Sequence, residues 1–478
     1  MGTFVGENCN TAHSHTPSTH EHVRTQHEWA ILAMLPQLIA ALITSIFAPM
    51  TSIITSLFTS ANAVIASKVE ALQVAEANLL DLAKHKFSPP DLEHEIEVFD
   101  TDIPRSALRI SKTGVKCQIN TVDSKDEHYI VHGVKVVNKQ SSSSASSSPL
   151  VILHGYMNGS LYFYRNLLGL AKHFSAIYSL DQLGWGLSSR PDFDQVVPSG
   201  EKSSDGHCPI EASENFFVES LEAWRKAHSI ERMNLCGHSM GGYLSVAYAE
   251  RYPQHVDRLI LLSPVGVPEQ DPENDPLSKP DVPLRFKVLF GTFRYLWSRG
   301  TTPGSFARSI PQSQARNMID KYVEGRLPQV TCSNERQVLG DYLFHSAMLP
   351  GSGEFSLNRI LKPGAYARKP MVSRIPNLNV SNVSFAYGQY DWMDSSGGLE
   401  VQRRCEEMRR SGKEAPQVEV FGVSKAGHML QIENWEETNA AIILAAGGRP
   451  DGSHLPGRFS DGIDEGRFFK GSRFRSSK

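Results

Sequence analysis

The chain has 478 residues, enough for two or three domains of about 150 residues each or for one large α/β domain with insertions. Lys and Arg total 48 against 51 Asp and Glu, and the net charge of −3 excludes a nucleic-acid binder held by a general basic surface. Hydrophobic residues at 40% and charged residues at 21% exclude a wholly disordered, collagen-like or polytopic membrane protein.

The first 67 residues divide into a polar part and an apolar part. Residues 1–28 are polar and rich in histidine, without the periodicity of a packed element, so we expect a disordered tail. Residues 29–67 hold no charged residue and exceed the roughly 20 apolar residues that a spanning helix needs, so we expect this segment to associate with a membrane. Pro36 and Pro49 interrupt it, which leaves open a kinked span, an interfacial anchor and a helical hairpin packed on the folded domain.

Strand signals begin after residue 100. The stretches LRISKTGVKCQINTV (108–122) and HYIVHGVKVVN (128–138) predict an antiparallel pair of strands. A serine run at 141–148 then predicts a flexible surface loop.

Short apolar runs next alternate with helix-like segments. The runs are PLVILHG, AIYSLDQ, MNLCGHS and RLILLSPVG, and the pattern resumes later in NVSFAYG and QVEVFGV. Such alternation indicates an α/β fold, with a mostly parallel sheet flanked by helices on both faces. We assign its core to residues 100–264 and 379–446.

Residues 265–378 interrupt that pattern with helix-like patches, which predicts a helical lid inserted into the core. The lid contains several arginines that could contact lipid phosphates or simply solvate helices: Arg285, Arg294, Arg299, Arg308 and Arg316. Residues 447–478 are rich in Gly, Ser and Arg and are expected to form a disordered basic tail.

The strongest chemical signal is MNLCGHSMGGY, where residues 237–241 match Gly-x-Ser-x-Gly between a predicted strand and a predicted helix. A serine at such a turn adopts strained backbone geometry that lifts its hydroxyl above the edge of the sheet. Ser239 is therefore the candidate nucleophile.

A serine hydroxyl needs a histidine to accept its proton and an acid to orient that histidine. In this architecture the chain order is serine, acid, histidine. His428 follows the last predicted strand, in AGHMLQIENW, and is the candidate base. The candidate acid is Asp391, which has the usual Gly-x-x-Asp spacing from Gly388, although Asp394 is close enough to replace it.

An acyl-transfer site also needs backbone N–H groups that stabilise an oxyanion. The N–H of Met240, after the nucleophile, is one candidate, and the N–H of Tyr156, in the turn HGYMNG after an early strand, is the other. The glycine-rich loop at 181–188 has neither dinucleotide nor triphosphate spacing, and no zinc or calcium motif occurs, so we expect no cofactor and no metal.

From Pro149 to Trp435 the chain resembles one α/β-hydrolase subfamily. This subfamily includes N-acyl-phosphatidylethanolamine lysophospholipases, the lipid-droplet lipase co-activator and fungal mitochondrial cardiolipin-specific deacylases. The resemblance rests on HGYMNG, LDQLGWGLSSRP, GHSMGGYLSVAYAERYP and YGQYDWMD, and more specifically on the lid stretches YLFHSAMLPGSGE and ARKPMVSRI.

The resemblance implies a membrane-associated serine hydrolase in which Ser239, Asp391 and His428 cleave acyl esters of phospholipids. Some members carry a His-x-x-x-x-Asp motif linked to acyl transfer onto lysophosphatidic acid, but here Glu433 replaces the aspartate. A lysophosphatidic acid acyltransferase is therefore an alternative with less support. A non-catalytic lipase co-activator is another, disfavoured because that branch lacks the serine that this chain keeps.

The expected partners are a phospholipid substrate and a membrane or lipid-droplet surface, without nucleic acid; protein partners stay undetermined. The six cysteines form no close pair, which fits a reducing compartment rather than a disulfide framework. We therefore expect an intracellular, membrane-associated protein, with the mitochondrial membrane and the endoplasmic reticulum or lipid droplet both open.

Overall fold

The computed structural model describes residues 62–90, 93–109, 128–139, 147–197, 210–270, 283–452 and 454–458. The chain divides into two units, 1–66 and 67–478, and the described part of the first, residues 62–66, is helical. The predicted tail 1–28 and most of the predicted membrane segment 29–67 lie outside the described residues. Among the residues described, no helix combines the length and hydropathy that crossing a bilayer requires.

The second unit is built on a mixed sheet with strand order β1-β2-β4-β3-β5-β6-β9-β10-β11. The strands are β1 (His94–Pro104), β2 (His128–Asn138), β3 (Leu150–Leu153), β4 (Ile177–Leu180), β5 (Met233–His238), β6 (Val256–Leu262), β7 (Leu361–Lys362), β8 (Tyr366–Ala367), β9 (Asn382–Gly388), β10 (Gln417–Val423) and β11 (Gly457–Arg458). The strands from β4 to β10 in that order are parallel, whereas β1, β2 and β11 pair antiparallel at the two edges. Strands β7 and β8 form a separate hairpin.

Helices pack against both faces of the sheet. They are the part of α1 (62–87) that lies in the second unit, α2 (Leu167–Leu170), α3 (Phe193–Val196), α4 (Ile210–Ala227), α5 (Met240–Arg251), α6 (Leu284–Ser298), α7 (Pro303–Ser309), α8 (Gln312–Arg326), α9 (Ser333–Met348), α10 (Leu357–Ile360), α11 (Met371–Arg374), α12 (Ser396–Arg410), α13 (Leu430–Glu433) and α14 (Trp435–Ala445). Successive strand residues point to opposite faces, so Val151 and Leu153 join a core with α4, α5 and α12, while Leu150 and Ile152 join one with α1, α9 and α14. The predicted α/β fold is confirmed.

The interrupting segment 265–378, where described, contains α6 to α11 and the β7–β8 hairpin. A buried ionic network ties it to the core. The Glu335 carboxylate at the start of α9 accepts hydrogen bonds from Arg165 Nη2 at 2.6 Å and from the Tyr164 hydroxyl at 2.6 Å, and it also pairs with Lys86 of α1. Because Glu335 is buried, these partners are what make its negative charge tolerable there.

The predicted antiparallel pair was half wrong. HYIVHGVKVVN forms β2, but its partner is HEIEVFDTDIP, paired Val98 to Val134, and the segment LRISKTGVKCQINTV lies mostly outside the described residues. Edge strand β1 carries charged residues at most of its exposed positions. In the sequence, its few apolar residues are therefore separated by charged ones, and the alternation typical of a strand was not recognised.

Two further elements differ from the expectation. Helix α1 was not predicted. It begins at residue 62, inside the charge-free segment 29–67, so its apolar residues were assigned to that segment. The tail was expected to be disordered from residue 447, but Gly457–Arg458 forms β11 against Gly422 and Phe421. A two-residue strand has too little periodicity to be recognised from sequence.

Candidate active site

Ser239 lies at a sharp turn between β5 and α5. Its backbone has φ 54° and ψ −115°, a strained conformation for a residue with a side chain. The flanking glycines make the turn possible, since a Cβ on Gly237 would come within 2.4 Å of the Gly241 carbonyl oxygen and one on Gly241 within 2.4 Å of the Leu153 carbonyl oxygen. The turn therefore presents the Ser239 hydroxyl at the carboxyl end of the parallel strands.

His428 follows β10, and its side chain contacts the Ser239 hydroxyl. Its Nε2 lies 3.0 Å from Ser239 Oγ, and its Nδ1 lies 3.1 Å from Asp391 Oδ1. With the proton on Nδ1, the ring donates to the carboxylate and leaves Nε2 free to accept the serine proton.

The structure brings Asp391, rather than Asp394, to the histidine. Asp391 is buried at the end of β9 and also accepts the Met393 N–H at 2.9 Å. Burial alone would raise the pKa of Asp391, but the charge and hydrogen bond of His428 outweigh it and lower that pKa below the usual value. Asp394 is exposed and accepts the Ser396 N–H at the start of α12.

A family model of the α/β hydrolase fold matches residues 148–434. The chain belongs to the α/β-hydrolase family.

Curated relatives lie in a lipid-related part of this family. The chain is 31% identical over 319 residues to a 1-acylglycerol-3-phosphate O-acyltransferase of Arabidopsis thaliana, covering 65% of this chain and 69% of that protein. It is 30% identical to the 1-acylglycerol-3-phosphate O-acyltransferase ABHD5 of Pongo abelii, covering 66% and 83%. It is 26% identical to Protein ECM18 of Saccharomyces cerevisiae, covering 63% and 71%. The subfamily resemblance expected from the sequence is confirmed.

The two candidate oxyanion donors of this α/β hydrolase flank Ser239. Met240 is the first residue of α5, where backbone N–H groups are not used by the helix itself. Tyr156 follows Gly155, whose backbone is so close that an added Cβ would lie 3.2 Å from the Cβ of Ser239. The Tyr156 ring packs on Trp185 with 5.2 Å between ring centroids, which fixes the turn that carries its N–H.

The loop that carries His428 is fixed by the half-buried side chain of Glu433 and the buried side chain of His238, two roles that sequence analysis did not assign. The Glu433 carboxylate accepts the Gly427 N–H at 2.9 Å and the Met429 N–H at 3.0 Å, so it holds the residues on both sides of the histidine. His238 lies with its Nε2 2.8 Å from the His428 carbonyl oxygen. Burial lowers the pKa of His238 to about 3, so its ring is neutral and donates this hydrogen bond.

The glycine-rich loop at 181–188 is held by one carboxylate. Asp181 accepts the Ser160 N–H at 2.5 Å and the Leu187 N–H at 2.7 Å. Gly186 has a positive φ of 49°, and a Cβ there would collide with the Asp181 carboxylate. This loop is a packed turn beside the site.

Among the described residues, Glu76, His132 and Asp181 could form a metal site by distance, because their ligand atoms lie within 4.8 Å of one another. In the structure the His132 ring is hydrogen-bonded between two carboxylates. His132 Nε2 lies 3.0 Å from Glu76 and Nδ1 lies 2.7 Å from Asp100. Burial alone would lower the pKa of His132, but these hydrogen bonds and the nearby Asp181 raise it to about 10.

Proposed function

We propose that this α/β hydrolase cleaves acyl esters of phospholipids at a membrane surface, through an acyl intermediate on Ser239. The observation that carries the proposal is the continuous hydrogen-bonded chain from Ser239 Oγ through His428 to Asp391, with distances of 3.0 and 3.1 Å. The lipid substrate is supported by the relatives, two of which are named for an acylated glycerol phosphate.

In the proposed reaction, Ser239 Oγ attacks the ester carbonyl carbon while its proton moves to His428 Nε2. The buried Asp391 carboxylate stabilises the imidazolium, and the N–H groups of Met240 and Tyr156 stabilise the oxyanion. Collapse of the tetrahedral intermediate breaks the ester C–O bond, and His428 donates its proton to the departing oxygen, which leaves as the hydroxyl of the lysophospholipid. Water then attacks the acyl-serine with the same histidine as base, releasing the fatty acid.

The aromatic rim of the site suits an acyl chain. Tyr390 and Trp392 flank Asp391 and are both exposed, and the Trp392 ring lies 5.1 Å from the His428 ring, centroid to centroid. Large exposed aromatic side chains beside a catalytic histidine favour apolar substrate groups over water-soluble polar ones.

Acyl transfer to 1-acylglycerol-3-phosphate is a second candidate, favoured by the names of the relatives. A lipid hydroxyl would replace water in the second step. Some members of the resembling subfamily carry an Asp at the position of Glu433. Here both carboxylate oxygens of Glu433 accept hydrogen bonds from backbone N–H groups. Hydrolysis therefore remains our first proposal.

The test compares the full-length protein with Ser239→Ala on phospholipid vesicles, with fatty-acid release as the measurement. We expect a loss of at least about 10³-fold, since removal of an activated nucleophile leaves only binding and oxyanion stabilisation. Ser411→Ala, which changes an exposed serine, is the matched control. Equal release by the wild type and Ser239→Ala would refute the proposal.

Two further arms separate the alternatives. Labelled phospholipid and 1-acylglycerol-3-phosphate supplied together yield a labelled diacyl product only if the acyl enzyme transfers its group to a lipid. Cells lacking the protein and rescued by the Ser239→Ala form would instead support the non-catalytic co-activator.

A further inference from the structure

Helix α6 is a long apolar helix that is exposed along most of its length. Its exposed apolar side chains include Leu284 at 76%, Val288 at 61% and Leu289 at 66% of their full accessibility. Further exposed members on α6 and α7 are Phe286, Phe293, Tyr295, Leu296 and Phe306. An exposed apolar surface of this kind marks a place where an apolar partner binds.

The same region has a one-sided charge. From Pro283 to Ile319 the chain contains no Asp or Glu, whereas α6 itself carries Arg285, Lys287 and Arg294, and Arg299 follows it. The chain as a whole has a net charge of −3, so this basic character is local. Further along the chain, Arg308 pairs with Glu354 and Arg316 pairs with Asp320.

Helix α6 is connected to the candidate active site through its carboxyl end. Trp297, its last but one residue, is buried in the core, and its ring packs on Phe293 with 5.6 Å between centroids. The chain then reaches Gly304, whose N–H donates to the hydroxyl of Tyr156 at 3.4 Å. Tyr156 is the candidate oxyanion residue, so the exposed helix and the reacting atoms belong to one packed unit.

We infer that α6 is a docking helix for anionic lipid surfaces, laying its apolar side chains among acyl chains while Arg285 and Lys287 meet lipid phosphates. Helices that lie in a membrane interface combine exposed Phe and Leu with Lys and Arg in this way. A second copy of the chain is a poorer partner, because a symmetric contact would set one basic helix against another. This inference rests on the proposed function for its relevance to catalysis. It adds that α6 is the element through which the protein binds the lipid surface that contains its substrate.

The experiment uses the full-length protein and flotation with two kinds of vesicle, phosphatidylcholine alone and phosphatidylcholine with phosphatidylglycerol. The apolar variant is Leu284→Ser/Val288→Ser/Leu289→Ser. We expect it to lower the partition coefficient about 100-fold on both vesicles, because removing each of the three apolar side chains should weaken binding about fivefold. Its matched control replaces three exposed apolar residues elsewhere, Val74, Val98 and Leu455, with serine.

The charge variant is Arg285→Gln/Lys287→Gln. Each cation near an anionic surface contributes about 1 kcal/mol, so binding to phosphatidylglycerol vesicles should fall about fivefold per residue, and binding to neutral vesicles should not change. The matched control is Lys84→Gln/Lys413→Gln, at two exposed lysines outside α6. Acidic residues precede α6 at 269–281. Binding to the phosphatidylglycerol vesicles therefore tests whether Arg285 and Lys287 can bind lipid phosphates despite these nearby negative charges.

Three results would overturn the inference. If the apolar variant binds vesicles as well as the wild type, α6 has no docking role. If its melting temperature falls while its vesicle binding is unchanged, the apolar side chains of α6 are covered by the protein itself. A change of oligomeric state in sedimentation would assign the face to a second copy. Hydrolysis of a water-soluble ester should be retained by the variants, so failure at this surface is distinguishable from failure of the Ser239 mechanism.

Discussion

Replacing Glu433 with Gln tests whether the histidine loop must be fixed for catalysis. The carboxylate accepts two N–H groups that bracket His428, at 2.9 and 3.0 Å. A glutamine has the same shape but only one acceptor oxygen, so its NH₂ group would face the second backbone donor. The substitution therefore removes one charge-assisted hydrogen bond and leaves a partly buried N–H unpaired.

The loss of such a bond costs about 1.5–3 kcal/mol. This free energy would reduce the fraction of molecules in which the loop holds His428 against Ser239. At about 1.4 kcal/mol per factor of ten, kcat/KM should then fall about 10- to 100-fold. The fall should appear in kcat and not in KM for a small water-soluble ester, because Glu433 holds the base and touches no substrate. Glu433→Asp keeps the charge but is one methylene shorter, so we expect an intermediate loss.

The assay is steady-state ester hydrolysis with the melting temperature measured in parallel. Glu436→Gln is the matched control, since Glu436 is exposed and lies three residues away. Wild-type kcat in Glu433→Gln at an unchanged melting temperature would refute the reasoning. An equal decrease for Glu433→Gln and Glu436→Gln would show a general effect of charge.

Two buried ionic sites give further predictions. Because the pKa of His132 is raised to about 10 in the folded protein, its contribution to stability is complete below about pH 6.5, the unfolded value, and is lost as the pH rises toward 10. The melting temperature should therefore fall between pH 7 and 10, and His132→Gln should flatten that dependence; identical slopes would contradict it. Glu335→Gln leaves Arg165 buried with a weakened partner and should lower the free energy of unfolding by about 3–5 kcal/mol in urea titrations. Glu400→Gln, at an exposed pair, should cost less than about 1 kcal/mol, and a similar loss in both variants would refute the distinction.

The central sheet was predictable because its strands are buried on both faces. Runs such as MNLCGH and NVSFAYG are mostly apolar, almost wholly buried and followed by helices, so their composition marked them as strands. The edge was not predictable in the same way, since β1 is half exposed and its alternation is masked by charge. The position of Ser239 followed from two glycines, whose spacing has a steric cause in the turn itself.

The sequence by itself determined the α/β architecture, the nucleophile candidate and the order of its partners, because each depends on local pattern and chain order. Only the tertiary structure decided that Asp391 rather than Asp394 meets His428, that Glu433 and His238 hold the loop of that histidine, and that α6 stays exposed. These outcomes depend on contacts between residues distant in the chain, or on which face of a helix finds a neighbour. Neither quantity is encoded in the spacing of residue types.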